Sequence, residues 1–569
     1  MLQFLVNFLG NLTDPTRMDP AKLEKLCNRW HQKGNQLYEK GRRRKSFKWY
    51  SKAAACGHPE ALFALGCHHL EEENHQEALK CLKQAGDKGL ADALCGLGTL
   101  YFEGAGVEQD YGHALHWYTK TVEQAPGSAQ GFAYVYALGQ IGYIHFMGLG
   151  VPEDLLEAFK WFQMAAKHGS AFAECKLGIL YWEENAVPQD FAAALECFSK
   201  ASEKGDADAL NFLGILHKEG SGVPQDYGEA VKWFTKSAEK GDMYAQGNLG
   251  LAYFRGQGCP QDYRSAAEWF LKASEQGHAP SQCYLGAMYE NGLGVPQDFK
   301  LAVRWYAESA NQGYDEAQVR LGGMYVRGEG VPQDPVKAFE WYAKAAEQGE
   351  DLAQCQLGHC YETGTGVTQD YLESVKWYAI AAEKGNADAQ FNLGWFHEMG
   401  VGVPEDRKEA ARWYELSAES GYALAQFTLG SAYLQGLDVE EDPVYAAKWF
   451  ARAADQGIAA AQFNLGLMHY YGDGLPQNYA VAAKWLLLAA KQGIASSQAT
   501  VALMYFNGDG LPQDDVAAYV WANLAEANGY DEDLRTSLSM SLTPAQVADA
   551  KTMTKETLAS NRQVLVPNL

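Results

Sequence analysis

The sequence of 569 residues lacks any run of 18 apolar residues, so it predicts no membrane-spanning helix. Basic residues are also scarce: 47 Lys and Arg stand against 71 Asp and Glu, which gives a formal net charge of −24. This acidic balance argues against a protein whose main partner is a nucleic acid or an anionic membrane. Hydrophobic residues make up 47 % of the chain, a content that excludes a disordered protein.

Motifs that carry catalysis are missing as well. The chain has no G-x-S-x-G, no H-E-x-x-H and no glycine-rich loop followed by lysine in phosphate-binding spacing. The richest group of potential metal ligands, around Cys67, His75 and Cys81, matches no common zinc spacing. We therefore expect a protein that is not an enzyme, without catalytic residues, metal, cofactor or small-molecule substrate.

The eleven cysteines are scattered, with no C-x-x-C pair, and an odd count leaves at least one thiol free. Dispersed cysteines suit a reducing compartment, so we expect a cytoplasmic location. A periplasmic or membrane-associated location is the alternative, because the apolar residues 2–9 could be a degenerate signal or a surface anchor. We interpret residues 1–21 as an N-terminal capping or anchor segment, the one part expected to contact a membrane.

The sequence is rich in one feature, an internal repeat. The phrase G-x-G-V-P-Q-D recurs twelve times, in several places with substitutions. In eleven of the twelve copies, a tryptophan stands seven residues after the last residue of the phrase. The period is 36 residues, except for a first step of 44 caused by an insertion around residues 124–131. A period of this length predicts a solenoid of stacked units. The last residues of the phrase are Asp110, Asp154, Asp190, Asp226, Asp262, Asp298, Asp334, Asp370, Asp406, Asp442, Asn478 and Asp514.

One unit, residues 386–421, shows the expected local structure. Its first half has apolar and small residues at helical spacing, among them Leu393. Gly400 and Gly402 end that helix, and Asp406 is the predicted N-cap of a second helix. Trp413 lies in the apolar stripe of the second helix, so we expect it in the core. The unit is therefore predicted to be a helix, a tight turn and a helix.

This pattern resembles the Sel-one-like repeat, a 36-residue relative of the tetratricopeptide repeat. The family phrase A-x-A-Q-x-x-L-G-x-x-Y-x-x-G-x-G-V-P-Q-D-Y-x-x-A-x-x-W-Y-x-x-A-A-x-x-G is matched nearly letter for letter by residues 387–421. The resemblance covers twelve repeats in residues 91–528 and two degenerate helical repeats in residues 22–90. Residues 529–569 are predicted to form a C-terminal capping helix, N-capped by Thr543, and a tail. The resemblance implies an all-α fold, a right-handed α-solenoid of about 14 stacked helix-turn-helix repeats with terminal capping helices.

The same resemblance implies a binding role, since the family acts in host-interaction, secretion, envelope-assembly and toxin-immunity settings. We expect a scaffold or adaptor that binds one or more partner proteins along the concave groove of the solenoid. Two alternatives stay open. One is an immunity-type inhibitor that neutralises a cognate toxin or effector enzyme, and the other is an envelope-associated or secreted host-interaction protein.

When the repeats are aligned, each position of the repeat forms a column of equivalent residues. Three columns of the first helix change identity from unit to unit, whereas the core columns stay the same. In one unit they hold Asn392, Trp395 and Met399, which share one helix face. First helices line the concave surface in tetratricopeptide-like solenoids, and we expect aromatic and arginine side chains exposed there to anchor a partner. The alternative is that these positions are merely solvated and free to drift. The predicted partner-binding residues are Phe212, Arg255, Tyr284, Arg320, Arg327, Asn392, Trp395, Met399 and Tyr471.

A second candidate site is electrostatic. Residues 1–57 hold 12 Lys and Arg against 4 Asp and Glu, a net charge of +8 that leaves −32 for the remainder. The centre of this basic segment is the patch formed by Arg42, Arg43, Arg44 and Lys45. It could dock an acidic partner or a headgroup surface, or it could be a solvated turn of the cap.

Overall fold

The computed structural model describes residues 20–124, 131–437, 439–531 and 533–564, and within them it holds helices and turns but no strand. The helices alternate between a first and a second helix, in fourteen pairs from α1/α2 to α27/α28, followed by α29 and α30. The predicted all-α solenoid of about 14 helix pairs is confirmed. The predicted segment 1–21 lies, apart from its last two residues, outside the described residues.

The odd-numbered first helices are α1 Pro20–Glu39, α3 Pro59–Glu71, α5 Ala91–Glu103, α7 Phe132–Met147, α9 Ala171–Trp182, α11 Ala207–Glu219, α13 Met243–Arg255, α15 Ala279–Asn291, α17 Asp315–Arg327, α19 Asp351–Thr363, α21 Ala387–Met399, α23 Ala423–Gln435, α25 Ala459–Tyr471 and α27 Ala495–Asn507. The second helices are α2 Arg43–Ala55, α4 His75–Gly86, α6 Tyr111–Gln124, α8 Leu155–Lys167, α10 Phe191–Glu203, α12 Tyr227–Glu239, α14 Tyr263–Glu275, α16 Phe299–Asn311, α18 Pro335–Glu347, α20 Tyr371–Glu383, α22 Arg407–Glu419, α24 Pro443–Asp455, α26 Tyr479–Lys491 and α28 Asp515–Ala527. The chain ends with α29 Asp533–Ser539 and α30 Pro544–Val564.

The chain divides into two compact units. The first comprises the residues up to Ser281 with Leu293–Pro296, and the second comprises Gln282–Gly292 with the residues from Gln297 onward. Inside each unit the first and second helix of a pair pack on each other most extensively, and each second helix also packs on the next first helix. Each unit therefore has a continuous core made by successive pairs.

The turn between the two helices of a pair is built as the sequence predicts. After α21, Gly400 and Gly402 adopt φ values of 64° and 70°, in the left-handed region that favours glycine. Asp406 then caps α22, because its Oδ1 accepts from the backbone amides of Lys408 and Glu409 at 3.1 Å each. This arrangement sends the chain back antiparallel within a few residues.

In most pairs the core contains an aromatic ring pressed against a glycine, whereas leucine replaces the ring at Gly66 and Gly466. In α21/α22 the ring of Tyr414 lies where a Cβ on Gly394 would stand, with only 2.9 Å between them, so no larger residue fits. This corrects the expectation for Trp413, which is only half-buried and lies at the core edge with the Arg412 guanidinium 5.2 Å from its ring. The same contact recurs at Gly178 and Phe198, Gly250 and Phe270, Gly358 and Tyr378, and Gly430 and Phe450.

Buried glutamines fasten successive pairs to each other. Gln426 donates its Nε2 to the carbonyl of Ala418, at the end of the preceding second helix, over 3.1 Å. Its Oε1 accepts from Gln456 at 2.8 Å. In α9/α10 an ion pair of 2.7 Å between Glu174 and Lys204 stands at the equivalent place. These contacts satisfy polar atoms that would otherwise be costly to bury.

The C-terminal helices close the last pair. Thr543 and Gln546 form a reciprocal capping box at the start of α30, with the Thr543 amide donating to Gln546 Oε1 at 3.0 Å. The predicted N-cap is therefore confirmed. Leu538 of α29 and Ala550 of α30 are buried against Ala522 of α28, so the end of the core is covered.

Candidate partner-binding face

The first helices present one side to the core and the opposite side to solvent. In α21, Ala389, Leu393 and Phe396 are buried, whereas Asn392 is half-buried and Met399 is 54 % exposed. We call the outward positions of the thirteen-residue first helices, namely the second, sixth, ninth, twelfth and thirteenth, the first-helix face. The structure therefore places the three predicted columns on a common outward side.

The predicted arginines lie on the first-helix face and are exposed, and two of them make ion pairs there. Arg320 reaches Glu316 on its own helix at 3.4 Å. Arg327 pairs with Glu290 of α15 at 2.7 Å and with Glu329 at 2.6 Å, so it links two neighbouring first helices. Arg255 is exposed at the end of α13.

The predicted aromatic anchors differ in exposure. Tyr471 is 70 % exposed and stands free of the core. Phe212 is half-buried and stacks on the buried ring of Phe198, with ring centres 5.0 Å apart and planes 4° from parallel. The expectation that Phe212 is an exposed anchor is therefore wrong, because its ring extends the core of its pair.

Trp395 and Tyr284 are also only half-buried. The Trp395 ring meets the buried Phe396 ring edge-on at 5.2 Å, and it packs against the core cluster of α20 and α21. Asn392 donates to Asp388 at 3.2 Å, so its amide is engaged within its own helix. Met399 is thus the most exposed of the three predicted residues in α21.

The first-helix face of the second unit contains two zones. The charged zone is the face of α17, α19 and α21, whose helices carry eight Asp, Glu and Arg residues. The uncharged zone is the face of α23, α25 and α27, which contain no Asp, Glu, Lys or Arg at all. Its exposed apolar side chains are Leu424 (44 %), Tyr471 (70 %) and Leu503 (41 %). Leu424 and Leu503 are not among the residues predicted from the sequence, although the absence of charged residues from these three helices is visible there.

Core tyrosines hold the carboxylates of the charged face in place. The Tyr378 hydroxyl donates to Glu362 at 2.8 Å, and the Tyr414 hydroxyl donates to Glu398 at 2.6 Å. Burial, together with the adjacent carboxylate, raises the pKa of both tyrosines, so each hydroxyl keeps its proton. His359 hydrogen-bonds Glu362 from the same helix, which raises the pKa of His359 and lowers that of Glu362. Glu362 is therefore ionised at neutral pH, and the core tyrosine hydroxyls fix the positions of both carboxylates.

The predicted basic patch surrounds the start of α2. Arg42, Arg43, Arg44 and Lys45 are all exposed. Arg43 pairs with Glu71 of α3 at 3.3 Å, and Tyr38 donates to the same carboxylate at 2.9 Å. The patch is thus partly tied to the neighbouring pair.

Across the described ranges, no group of three or more His, Cys, Asp and Glu side chains is arranged to hold a metal ion. In the same part of the chain, no helix combines the length and apolar character needed to cross a membrane.

The sequence matches the model of the Sel1 repeat family fourteen times. The matched residues are 24–58, 59–90, 91–125, 135–170, 171–206, 207–242, 244–278, 279–314, 315–350, 351–386, 387–422, 423–458, 459–494 and 495–530. These matches follow the fourteen helix pairs described above. A search of curated proteins found no match.

Several solved structures are similar to this chain. One is a protective antigen of uropathogenic Escherichia coli with a Sel1-like repeat fold, 35 % identical, covering 80 % of this chain and 98 % of its own, with a TM-score of 0.59. Another is a Sel1 repeat protein from Oxalobacter formigenes, 34 % identical, covering 55 % of this chain and 90 % of its own, with a TM-score of 0.44. An immunity protein from Pseudomonas aeruginosa is 20 % identical over 36 % of this chain and 80 % of its own, with a TM-score of 0.28, too distant to bear on function.

Proposed function

We propose that this chain, which belongs to the Sel1 repeat family, is a scaffold or adaptor that binds a partner protein along its first-helix face. The Sel1 repeat solenoid is a fold typically used for protein–protein interaction. The observation that carries the proposal is the contrast between the two sides of the first helices. The inward side repeats the same residues in pair after pair, whereas the outward side changes and exposes side chains such as Met399 and Tyr471.

Exposed apolar side chains contribute to a binding surface when one partner covers several of them together. Leu424, Tyr471 and Leu503 lie at outward positions of successive first helices and are each at least 40 % exposed. A partner that covers them gains their burial, and exposed aromatic side chains of this kind are typical binding anchors. The charged zone beside them supplies orientation and partner selection.

The test captures the partner from the native source with the full chain as bait. The variant Met399→Glu/Tyr471→Glu places two charges on the first-helix face, and we expect it to lose the main partner that the wild type retains. The matched control is Leu372→Glu/Val444→Glu, which changes two equally exposed apolar residues on second helices α20 and α24.

Loss in the control but not in the face variant would contradict the proposal and place binding on the second helices. Melting curves of both variants exclude unfolding as the cause. The identity of a retained partner separates an adaptor from an inhibitor, because an inhibitor abolishes the activity of a single enzyme at stoichiometric amounts.

A host-interaction role at the envelope or outside the cell is the second candidate. It is favoured by the likeness to the protective antigen, because the two chains are 35 % identical and the match extends over nearly the whole length of the antigen. A cytoplasmic location, in which the scattered thiols stay reduced, goes with the adaptor role. Fractionation of the native source, with N-terminal sequencing of the recovered chain, decides between them: an intact chain in the cytoplasmic fraction supports the adaptor, and a processed or envelope-bound chain supports host interaction.

A further inference from the structure

A cleft of about 240 Å³ opens between α21, α22 and α23, where the charged zone meets the uncharged zone. It exists because the tenth residue of α23 is Ala432, which leaves the space above Tyr414 unfilled. The other first helices of the second unit carry a larger residue at this position: Met288, Met324, Cys360, Phe396, Met468 and Met504. The cleft is therefore particular to one pair and is not a property of the repeat.

One wall of the cleft is the carboxylate of Glu398. The Tyr414 hydroxyl donates to its Oε2 at 2.6 Å and fixes its position. The equivalent carboxylates have a cationic partner: Glu290 pairs with Arg327 at 2.7 Å, and Glu362 lies 3.5 Å from His359. Among the described residues no cation lies within ion-pair distance of Glu398.

The remaining walls are mostly apolar, with Leu429 and Leu437 among them. Arg407 also borders the cleft, and its Nε donates to Glu405 at 3.1 Å. A half-buried carboxylate at the side of an apolar cleft suits a long aliphatic side chain that ends in a cation. We infer that the cleft receives a lysine or arginine side chain of the partner, so that the partner brings a basic segment to the first-helix face.

This inference rests on the proposed function and adds the chemistry of the partner. The net charge of −24 acts in the same direction, because an acidic surface speeds the approach of a cationic segment. The charged zone adds Glu362 and Asp388 at outward positions of α19 and α21. The basic side chain would thus be drawn across a negative surface before it enters.

The chain contains its own comparison in the first unit. Ala252 is the tenth residue of α13, yet the cleft above it holds only about 20 Å³. Leu251 lines that cleft, where α23 has the smaller Ser431 beside Ala432. The counterpart of Glu398 there is Lys218, which would repel a cation. Alanine at this position therefore does not make a cationic site without the carboxylate and the small neighbour.

The test uses blocked pentapeptides, acetyl-Ala-Ala-Xaa-Ala-Ala-amide, with arginine, lysine, norleucine or glutamate in the centre. Their affinities for the full chain are measured by saturation-transfer NMR titration at low ionic strength. We expect the arginine and lysine peptides to bind at least about tenfold more tightly than the norleucine peptide, since a charge-assisted hydrogen bond exceeds a neutral contact by this much. The glutamate peptide is expected not to bind.

Three variants locate the binding. Glu398→Gln should lower the affinity for the arginine peptide about tenfold. Glu362→Gln, at the same position one pair earlier, removes only attraction at a distance and should lower the affinity by no more than about twofold. Ala432→Met inserts the residue found in neighbouring helices, and it should abolish binding while the melting temperature stays equal or rises.

Equal affinity of the arginine and norleucine peptides overturns the inference, as does arginine binding that survives Glu398→Gln or Ala432→Met. Binding of the glutamate peptide that is lost in Arg407→Gln overturns it too, because Arg407 would then set the preference of the cleft. The proposed function is read separately by the capture experiment. If the partner is lost only in the face variant and no peptide binds, the scaffold function is supported and the cleft inference is overturned. If the peptides bind as expected but capture is the same for the wild type and the face variant, the cleft inference is supported and the scaffold function is overturned.

Discussion

The charged and uncharged zones are built on the same scaffold. The inward residues hardly differ: Ala353, Ala389, Ala425 and Ala461 are each fully buried at the third position of their first helix. The outward residues differ completely, with eight Asp, Glu and Arg in α17, α19 and α21 and none in α23, α25 and α27. The packing of aromatic rings against glycines constrains only the inward side, so the fold does not cause the difference outside.

The two zones are therefore suited to different parts of recognition. Exposed apolar side chains such as Tyr471 contribute affinity when they are covered, and this contribution depends little on salt. Fixed carboxylates such as Glu362 and Glu398 contribute approach rate and selection of charge, and this contribution falls as salt screens them. The following predictions test whether the zones share one core and differ only on the outside.

The largest effect is expected when a buried phenylalanine in the core beneath each zone is replaced by alanine. Phe396 of α21 and Phe450 of α24 are both fully buried. Phe396→Ala and Phe450→Ala should each lower the local free energy of opening by about 3–5 kcal/mol, because each leaves a cavity. Native-state hydrogen exchange of the surrounding helices measures this locally, as a solenoid opens in parts.

The control changes exposed residues of the same two zones. Met399→Ala and Leu424→Ala should each alter the free energy of opening by less than about 0.5 kcal/mol, since both side chains are largely exposed. If the losses in the free energy of opening caused by Phe396→Ala and Phe450→Ala differ by more than about 2 kcal/mol, the zones differ in their cores as well as on their surfaces.

The next effect concerns the uncharged zone. Tyr471→Ala/Leu503→Ala should weaken binding of the captured partner by about 2 kcal/mol or more, roughly thirtyfold, because hot-spot anchors lose that much on truncation. The loss should be the same in 50 mM and 300 mM salt, as about equal apolar burial is removed at both. Titration calorimetry at the two salt concentrations measures it. A loss that disappears at high salt would contradict the division into zones.

The repeat and its turns could be predicted from the sequence because they depend on local chemistry. Gly400, Gly402 and Asp406 act through their own backbone conformations and hydrogen bonds, and all three behave as predicted. The burial of Trp413 could not be read the same way. Trp413 and Tyr414 are adjacent and both apolar, and the packing of α22 on Gly394 decides which of them is inside.

The outward positions could be located from the sequence, but their exposure could not. Phe212 and Trp395 stand in outward columns, yet large rings at these positions lean onto the core of their own or a neighbouring helix. The cleft at Ala432 depends on three helices at once, and only the comparison with Met468 and Met504 along one column could have suggested it.

The charged zone gives a smaller, salt-dependent effect. Glu316→Gln/Glu362→Gln should lower the association rate of a basic partner several-fold in 50 mM salt, by removing attraction at a distance. In 300 mM salt the rate should approach that of the wild type, because the screening length falls well below the ~10 Å found at 0.1 M. Stopped-flow mixing measures the rates. The same variant should leave the dissociation rate nearly unchanged; a dissociation rate raised tenfold would mean that these carboxylates lie in the bound interface.

The smallest effect is a pH dependence confined to the charged zone. The Glu362 hydrogen bond raises the pKa of His359, and Asp388 of α21 acts in the same direction. The stabilisation by protonated His359 is complete below its unfolded pKa of about 6.5 and is lost as the pH rises through the raised folded pKa. Glu362 has a lowered pKa, so its share is present above about pH 4.3 and is lost as the pH falls through the folded value.

The pair therefore stabilises α19 and its neighbours most between about pH 4.5 and 6.5, by less than about 1 kcal/mol because both side chains are partly exposed. Hydrogen exchange at pH 5.5 and 8 should show this loss in α19 to α21. His359→Gln should remove the difference between the two pH values there. The helices α23, α25 and α27 serve as the internal reference, since they carry no acidic residue to pair with a histidine on the first-helix face. An equal pH dependence in those helices would assign the effect to the core that both zones share.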